Sequence, residues 1–233
     1  MNLQPDEISR FQQEGFLGPI RAFTGDEIDR LLAPLDGILA ETEPTHHRHL
    51  NVRPVYDLCT NPAIVDRIAS LLGPDVMLWS SNFSVKQPGA RETPWHQDQN
   101  NGGPAGLEPP LNISVWMALD DCLIENSCIK FVAGSHLTIV NHEPPSGGHY
   151  FGLADTSNFD LDSAINMELR KGEFVIFTDR VLHAAKPNTS DKRRAGIAMR
   201  FTTPFVKILR PVKGMIVRGE DRFGFNDVVN PSE

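Results

Sequence analysis

Thr93-Pro94-Trp95-His96-Gln97-Asp98 is the stretch from which the rest of the chain can be read. His96 and Asp98 stand two apart, so on an extended strand both side chains leave one face and can close on one metal ion. A neutral imidazole and a carboxylate are two thirds of the two-histidine, one-carboxylate set that holds non-haem iron(II) and leaves positions open for chemistry. With eight histidines in 233 residues, a His-x-Asp also arises by accident, so the pair needs a third donor elsewhere.

Asp179-Arg180-Val181-Leu182-His183 supplies one. The segment before it, Gly172-Glu173-Phe174-Val175-Ile176-Phe177-Thr178, opens on glycine and is rich in β-branched and aromatic residues, which reads as a strand with His183 at its end. A histidine at a strand end, far in sequence from the first pair, is how a barrel of antiparallel strands completes a three-donor site.

Along most of its length the chain resembles the phytanoyl-CoA dioxygenase family of Fe(II)/2-oxoglutarate oxygenases. The resemblance rests on His96-x-Asp98, on the distant His183, and on Arg194 eleven residues further on. The opening Phe11-Gln12-Gln13-Glu14-Gly15-Phe16 also fits, as does Asn126 to His136, where Ser127 and Ala133 replace the usual Gly and Pro. It implies His96, Asp98 and His183 as iron ligands and Arg194 as the clamp on the far carboxylate of 2-oxoglutarate. Trp116 and Asn82 are implied as further 2-oxoglutarate contacts. The implied cofactors are Fe(II), 2-oxoglutarate as co-substrate and O2, and the implied reaction hydroxylates an unactivated C–H of a small metabolite with release of succinate and CO2. Related halogenases carry a small residue in place of the carboxylate ligand, so Asp98 points to hydroxylation or another oxidation.

Physical chemistry supports the choice of Arg194. A guanidinium is a planar fork that pairs two-pronged with a carboxylate, which a lysine cannot copy. In period-two reading Arg194, Gly196, Ala198 and Arg200 share one face, and Arg193, Ile197, Met199 and Phe201 the other. The small residues beside Arg194 are expected to leave room for a bound diacid.

Composition, 40% hydrophobic and 22% charged, suits one β-rich domain. The expected fold is an all-β core, a cupin-like double-stranded β-helix or jelly roll, with flanking N-terminal α-helices. Residues 1–73 are expected to be mainly helical, 74–205 the jelly-roll core and 206–233 a C-terminal extension. A net charge of −8 and a pI near 5.5 argue against nucleic acid or an anionic membrane as partner and leave a small molecule. No apolar run approaches the ~20 residues of a membrane span, and the N-terminus lacks a basic, then apolar, leader. Cys59, Cys122 and Cys128 form no CxxC and read as reduced thiols, so a cytoplasmic location is expected. Oligomeric state is not legible.

In chain order, Asp6 to Glu14 reads as a helix ending at Gly15. Thr24-Gly25-Asp26-Glu27 is a capping box before apolar residues at helical spacing from Ile28 to Leu39, with a kink expected at Pro34. Asn61-Pro62 caps a third helix that runs to Gly73. His46, His47 and His49 read as a polar loop able to line a pocket. Strands are expected at Val76–Trp79, Asn82–Lys86 and Ile113–Leu119. The Gly- and Pro-rich stretch from Asn100 to Pro110 reads as a loop over the substrate, and Asn141 to Ala164 as a second loop shaping specificity. His136 reads as bonded to nearby backbone, and the basic residues after Val206 as a solvated edge. Arg53, Arg91, Lys86, Tyr56 and Arg200 are candidate substrate contacts. Two other classes compete: a redox-inactive cupin-type metalloenzyme, which leaves Arg194 unexplained, and a non-catalytic jelly-roll binding protein, which has no need of the three donors.

Overall fold

A computed structural model describes residues 1–35, 46–100, 106–145 and 151–229. The expected continuation of the second helix through Ile38 and Leu39, the middle of the Asn100–Pro110 loop and the pair Gly147-Gly148 lie outside those residues.

Helix α1 (Pro5–Glu14) begins on a proline, whose missing N–H costs nothing there, and stops at Gly15 in the left-handed conformation (φ 86°). Strand β1 (Phe16–Arg21) follows directly, inside the part of the chain expected to be mainly helical. Helix α2 (Gly25–Leu32) carries the Thr24/Glu27 capping box and gives way to a 3-10 turn at Ala33–Leu35, where Pro34 cannot extend it. Helix α3 (Arg53–Cys59) was not foreseen, and α4 (Pro62–Leu72) is capped by the Asn61 side chain, which accepts the Ala63 N–H at 2.8 Å. Among the described residues no helix is long and apolar enough to cross a membrane.

The remaining strands are β2 (Val76–Lys86), β3 (Thr93–His96), β4 (Leu107–Glu108), β5 (Ile113–Ala118), β6 (Ile129–Phe131), β7 (His142–Glu143), β8 (Leu153–Ala154), β9 (Ile165–Met167), β10 (Glu173–Thr178), β11 (His183–Ala185), β12 (Arg194–Thr202), β13 (Lys207–Ile208) and β14 (Met215–Arg218). A six-stranded antiparallel sheet runs β1-β10-β5-β12-β2-β14, and a four-stranded one runs β3-β11-β6-β9. Two short pairs, β4 with β13 and β7 with β8, close off the loops. The chain is thus a jelly roll with helices on one side, as expected.

Alternation along the large sheet sorts its two faces. Phe174 and Ile176, Val115 and Met117, and Ile197 and Met199 point outward into a core shared with Phe11, Ile28, Leu58 and Ile64 of the helices. Val175, Phe177, Trp116 and Ala198 point inward and meet Ile129, Phe131 and Met167 of the small sheet. Both faces of the large sheet are therefore buried, which is why β5 is buried at all six positions and lacks the polar-apolar rhythm of a half-exposed strand. Each fully buried Phe, Leu or Ile contributes about 1.5–3 kcal/mol.

The inward stripe Arg194, Gly196, Ala198 and Arg200 has the expected facing, but for a different reason. A Cβ on Gly196 would lie 2.1 Å from Trp116 Cζ2, so the space at Gly196 is filled by the indole and not left for a diacid. We expect Gly196→Ala to destabilise the fold by about 1–3 kcal/mol, as overpacking does. A urea midpoint equal to that of the parent protein would show that the indole is not held against this strand.

Candidate metal centre

Strands β3 and β11 are antiparallel neighbours with His96 and His183 as Cα partners, which brings the two rings to 4.1 Å between centroids. His183 opens β11 after a turn, where the sequence placed it at the end of β10. Donor atoms of His96, Asp98 and His183 all lie within 4.8 Å of one another, the one such group of three found among the described residues.

Asp98 reaches that position by a route the strand argument missed. β3 ends at His96 and Asp98 starts a 3-10 turn, so the two are not alternate residues of one strand. The chain turns instead, and the carboxylate swings back to 3.8 Å from His96 Nε2. Gln97 holds the turn. Its side chain is fully buried, donates to the carbonyls of Thr138 (2.7 Å) and Arg180 (2.6 Å), and accepts the Val140 N–H (3.1 Å). Its own N–H donates to His142 Nε2 at 2.9 Å. A buried amide with these bonds is costly to disturb.

Both histidine rings are held by backbone carbonyls. His96 Nδ1 lies 2.8 Å from the Pro94 carbonyl and His183 Nδ1 lies 3.0 Å from the Val181 carbonyl. A carbonyl only accepts, so Nδ1 carries the proton in each ring and the Nε2 lone pair is free. Burial, reinforced by His183, pushes His96 down to about 3, and burial likewise lowers His183, so both are neutral. Burial pushes Asp98 up, but the Arg200 guanidinium with His183 and His96 outweighs it and holds the carboxyl at about 2. All three groups are in the form a divalent metal takes.

Arg200 Nη2 sits 3.4 and 3.3 Å from the two Asp98 oxygens, and Ser114 Oγ donates to one of them at 3.4 Å. Asn82 Oδ1 accepts from Arg200 Nη1 at 3.0 Å. Asn82, expected as a 2-oxoglutarate contact, is thus bonded to Arg200.

Arg194 is 2% exposed and has no carboxylate partner among the described residues. Its Nε donates to the Ser127 carbonyl (3.1 Å) and its Nη1 to Ser84 Oγ (3.2 Å), while its Cζ lies 4.9 Å over the Trp116 ring. Arg193, by contrast, is committed on the opposite face to Asp120 through two bonds of 2.9 Å. Lys86 is the strand partner of Arg194, and its buried ammonium donates to Ser127 Oγ (3.1 Å) and the Lys186 carbonyl (3.0 Å). Burial, then the neighbouring Arg194, brings Lys86 down to about 7. Arg194 and Lys86 are thus adjacent buried basic groups with no carboxylate bonded to either among the described residues.

A cavity of about 340 Å³ opens beside Asp98 and Arg200, with His46, His47, Phe151 and Asp179 among its walls. The Phe151 ring stacks on His96 at 4.0 Å. Burial, then Asp98, pushes the Asp179 carboxyl up to about 7. The histidine cluster divides: His46 and His47 face the cavity, while His49 is 1% exposed and bonded to Ser81 Oγ at 2.7 Å. Of the five candidate substrate contacts, Arg200 alone lines the cavity. Arg53 is paired with Asp57 at 2.7 Å and Lys86 is buried as above. His136 bonds the Gln12 carbonyl at 3.0 Å, tying down α1 and not its own turn. Gln97, His142 and Phe151 were missed by the sequence reading. A glutamine between two candidate donors was the only signal of the three.

The sequence profile of the family described as phytanoyl-CoA dioxygenase (PhyH) matches residues 11–196. The dioxygenase lolE1 of Epichloe uncinata is 30% identical over 145 residues, 62% of this chain and 53% of that protein. Phytanoyl-CoA dioxygenase domain-containing protein 1 of Danio rerio is 30% identical over 199 residues, 81% of this chain and 63% of that protein. The chain thus spans between about half and two thirds of the length of these two relatives. Among solved structures, "CytC3 with Fe(II) and alpha-ketoglutarate" superposes with a TM-score of 0.79 at 24% identity, covering 98% of this chain and 94% of that one. At that identity the likeness speaks to the fold. The "non-heme monooxygenase; ThoJ apo" follows at 0.76 and 26% identity, covering 96% and 86%.

Proposed function

The chain belongs to the phytanoyl-CoA dioxygenase family, and from that membership we propose that it is a non-haem Fe(II)/2-oxoglutarate-dependent oxygenase that hydroxylates a C–H of a small metabolite. In balance, 2-oxoglutarate, O2 and the substrate C–H give succinate, CO2 and the corresponding alcohol. The observation that carries the reading is the convergence of His96, Asp98 and His183 within 4.8 Å, with both Nδ1 atoms spent on backbone carbonyls.

In this reading Nε2 of His96, a carboxylate oxygen of Asp98 and Nε2 of His183 hold the iron. When bound, Fe(II) supplies the redox chemistry with O2 and the co-substrate. The protein's own residues do the positioning. Arg194 grips the far carboxylate of 2-oxoglutarate with its fork, Trp116 keeps the guanidinium plane in place, and Lys86 adds positive potential. Arg200 holds Asp98 ionised, and the cavity beside Asp98 takes the substrate. Neither a redox-inactive cupin-type enzyme nor a binding module accounts for two buried cations side by side. Three buried thiols without disulfides suit a reducing compartment, and the cytoplasm is the proposed location.

Anaerobic titration tests this directly. Fe(II) and 2-oxoglutarate together are expected to give a weak visible charge-transfer band with the protein, and admission of air to release succinate. A folded protein that gives no band rejects the proposal.

A further inference from the structure

We infer that the cavity beside Asp98 binds a compact organic anion, a carboxylate or a phosphate monoester, whose charged end is held at the cavity mouth by Arg210. This rests on the proposed oxygenase reading and adds the substrate class to it.

The charges around the cavity lead there. Its cations are Arg200 and Arg210, its carboxylates Asp98 and Asp179, and His46 and His47 are kept neutral, each by burial first. The Arg200 charge is used up, since its guanidinium lies between Asp98 and Asn82. Arg210 is the cation left over: among the described residues it has no ion pair, with Asp179 or with any other acid. Metal at the three donors would leave Asp98 even less able to offset it.

The position of Arg210 is built, too. A Cβ on Gly106 would lie 2.6 Å from Arg210 Nε, so the absence of a side chain there lets the guanidinium lie against the backbone at the cavity wall. The Leu209 N–H donates to the Gly106 carbonyl at 2.9 Å and fixes the two segments together. The two other arginines of this C-terminal region turn elsewhere, Arg218 toward Asp66 at 3.8 Å and Arg222 to Asp75 at 3.0 Å.

A second observation points to a polar ligand in the same space. His47 Nδ1 and Gln99 Oε1, both on residues that line the cavity, are buried without a hydrogen-bond partner among the described residues. His47 is held there in the left-handed region (φ 58°), its N–H donating to the Ser81 carbonyl at 2.7 Å. Such strain persists where the surrounding structure enforces it and is concentrated at binding sites. A volume of about 340 Å³ stands near the lower end for ligand pockets, which suits a small metabolite with hydroxyl or amino groups to meet those two atoms.

The test uses the full protein loaded with Fe(II) and 2-oxoglutarate. A panel of plain and hydroxylated monocarboxylates of about four to eight carbons, the matching phosphate monoesters, and neutral amides and alcohols on the same skeletons spans the pocket size. The readouts are perturbation of the visible band and the rate of succinate release. At least one anion is expected to bind about tenfold or more tightly than its neutral partner, and the winning arm tells carboxylate from phosphate. Arg210→Gln is expected to collapse the preference for the anion toward unity, and Arg210→Lys to recover part of it. Neutral probes that match the anions, no anion binding in the panel, or an unchanged preference in Arg210→Gln would each overturn the inference. Failure of the oxygenase reading is distinguishable, because the band would then be missing before any probe is added.

Discussion

Asp98→Ala is expected to abolish turnover and iron binding while the protein still folds. Lewis-acid and redox chemistry at a bound metal is worth several kcal/mol, and at 1.36 kcal/mol per tenfold that is a loss of about a thousandfold or more. His96→Ala should do the same. The cost to the fold is smaller and can be bounded. The carboxyl is lowered from 3.8 to about 2, and a pKa unit is about 1.36 kcal/mol, so the ionised group contributes about 2–3 kcal/mol. Because its folded pKa is depressed, that contribution is present above pH ~4 and lost as pH falls toward ~2. At neutral pH the variant should therefore unfold at somewhat lower urea than the parent, with a cooperative transition retained. Arg200 keeps its 3.0 Å bond to Asn82, and the Gln97 bonds that shape the turn do not involve Asp98. A variant with full activity refutes the metal triad. An unfolded variant would show that the carboxylate is a structural part of the core.

Arg194→Gln is expected to raise the 2-oxoglutarate concentration needed for half-saturation by about a hundredfold, with iron affinity little changed. Breaking a buried, hydrogen-bonded charge pair costs about 2–5 kcal/mol, and the lower half of that range corresponds to this factor. Arg194→Lys keeps the charge and loses the fork, so a rise of about tenfold is expected. The two affinities separate in an anaerobic titration, where iron and 2-oxoglutarate are varied in turn. The substitution also removes the bonds from Nε to Ser127 and from Nη1 to Ser84, so a urea midpoint is needed beside the titration. If iron affinity collapsed and 2-oxoglutarate affinity held, the clamp would have to be sought at Lys86 or elsewhere.

The fold was legible where pattern and punctuation agreed. Gly15, the Thr24/Glu27 box and Asn61-Pro62 place three helices because caps are local chemistry, satisfied within a turn of the chain. Strands β10 and β12 were legible from β-branched and aromatic residues and from period two. Helix α3 and strand β1 were not, because a short segment's preference is decided by what it packs against. The pairing of β1 with β10, and not its own composition, makes Phe16 to Arg21 a strand.

What the sequence determined by itself was the choice of candidate groups, His96, Asp98, His183 and Arg194, of which the first three converge, and the facing of Arg194 opposite Arg193. Donor type and side-chain period are properties of residues and their spacing. Tertiary structure alone decided how the groups meet and what is left unpaired. It turned the chain at Gln97 to bring Asp98 back, gave the space at Gly196 to Trp116, set Asn82 against Arg200, and left Arg210 at the cavity with no ion pair among the described residues. Those outcomes depend on which side chains, remote along the chain, compete for the same buried volume and the same hydrogen bonds, and that competition is settled only when the two sheets close on each other.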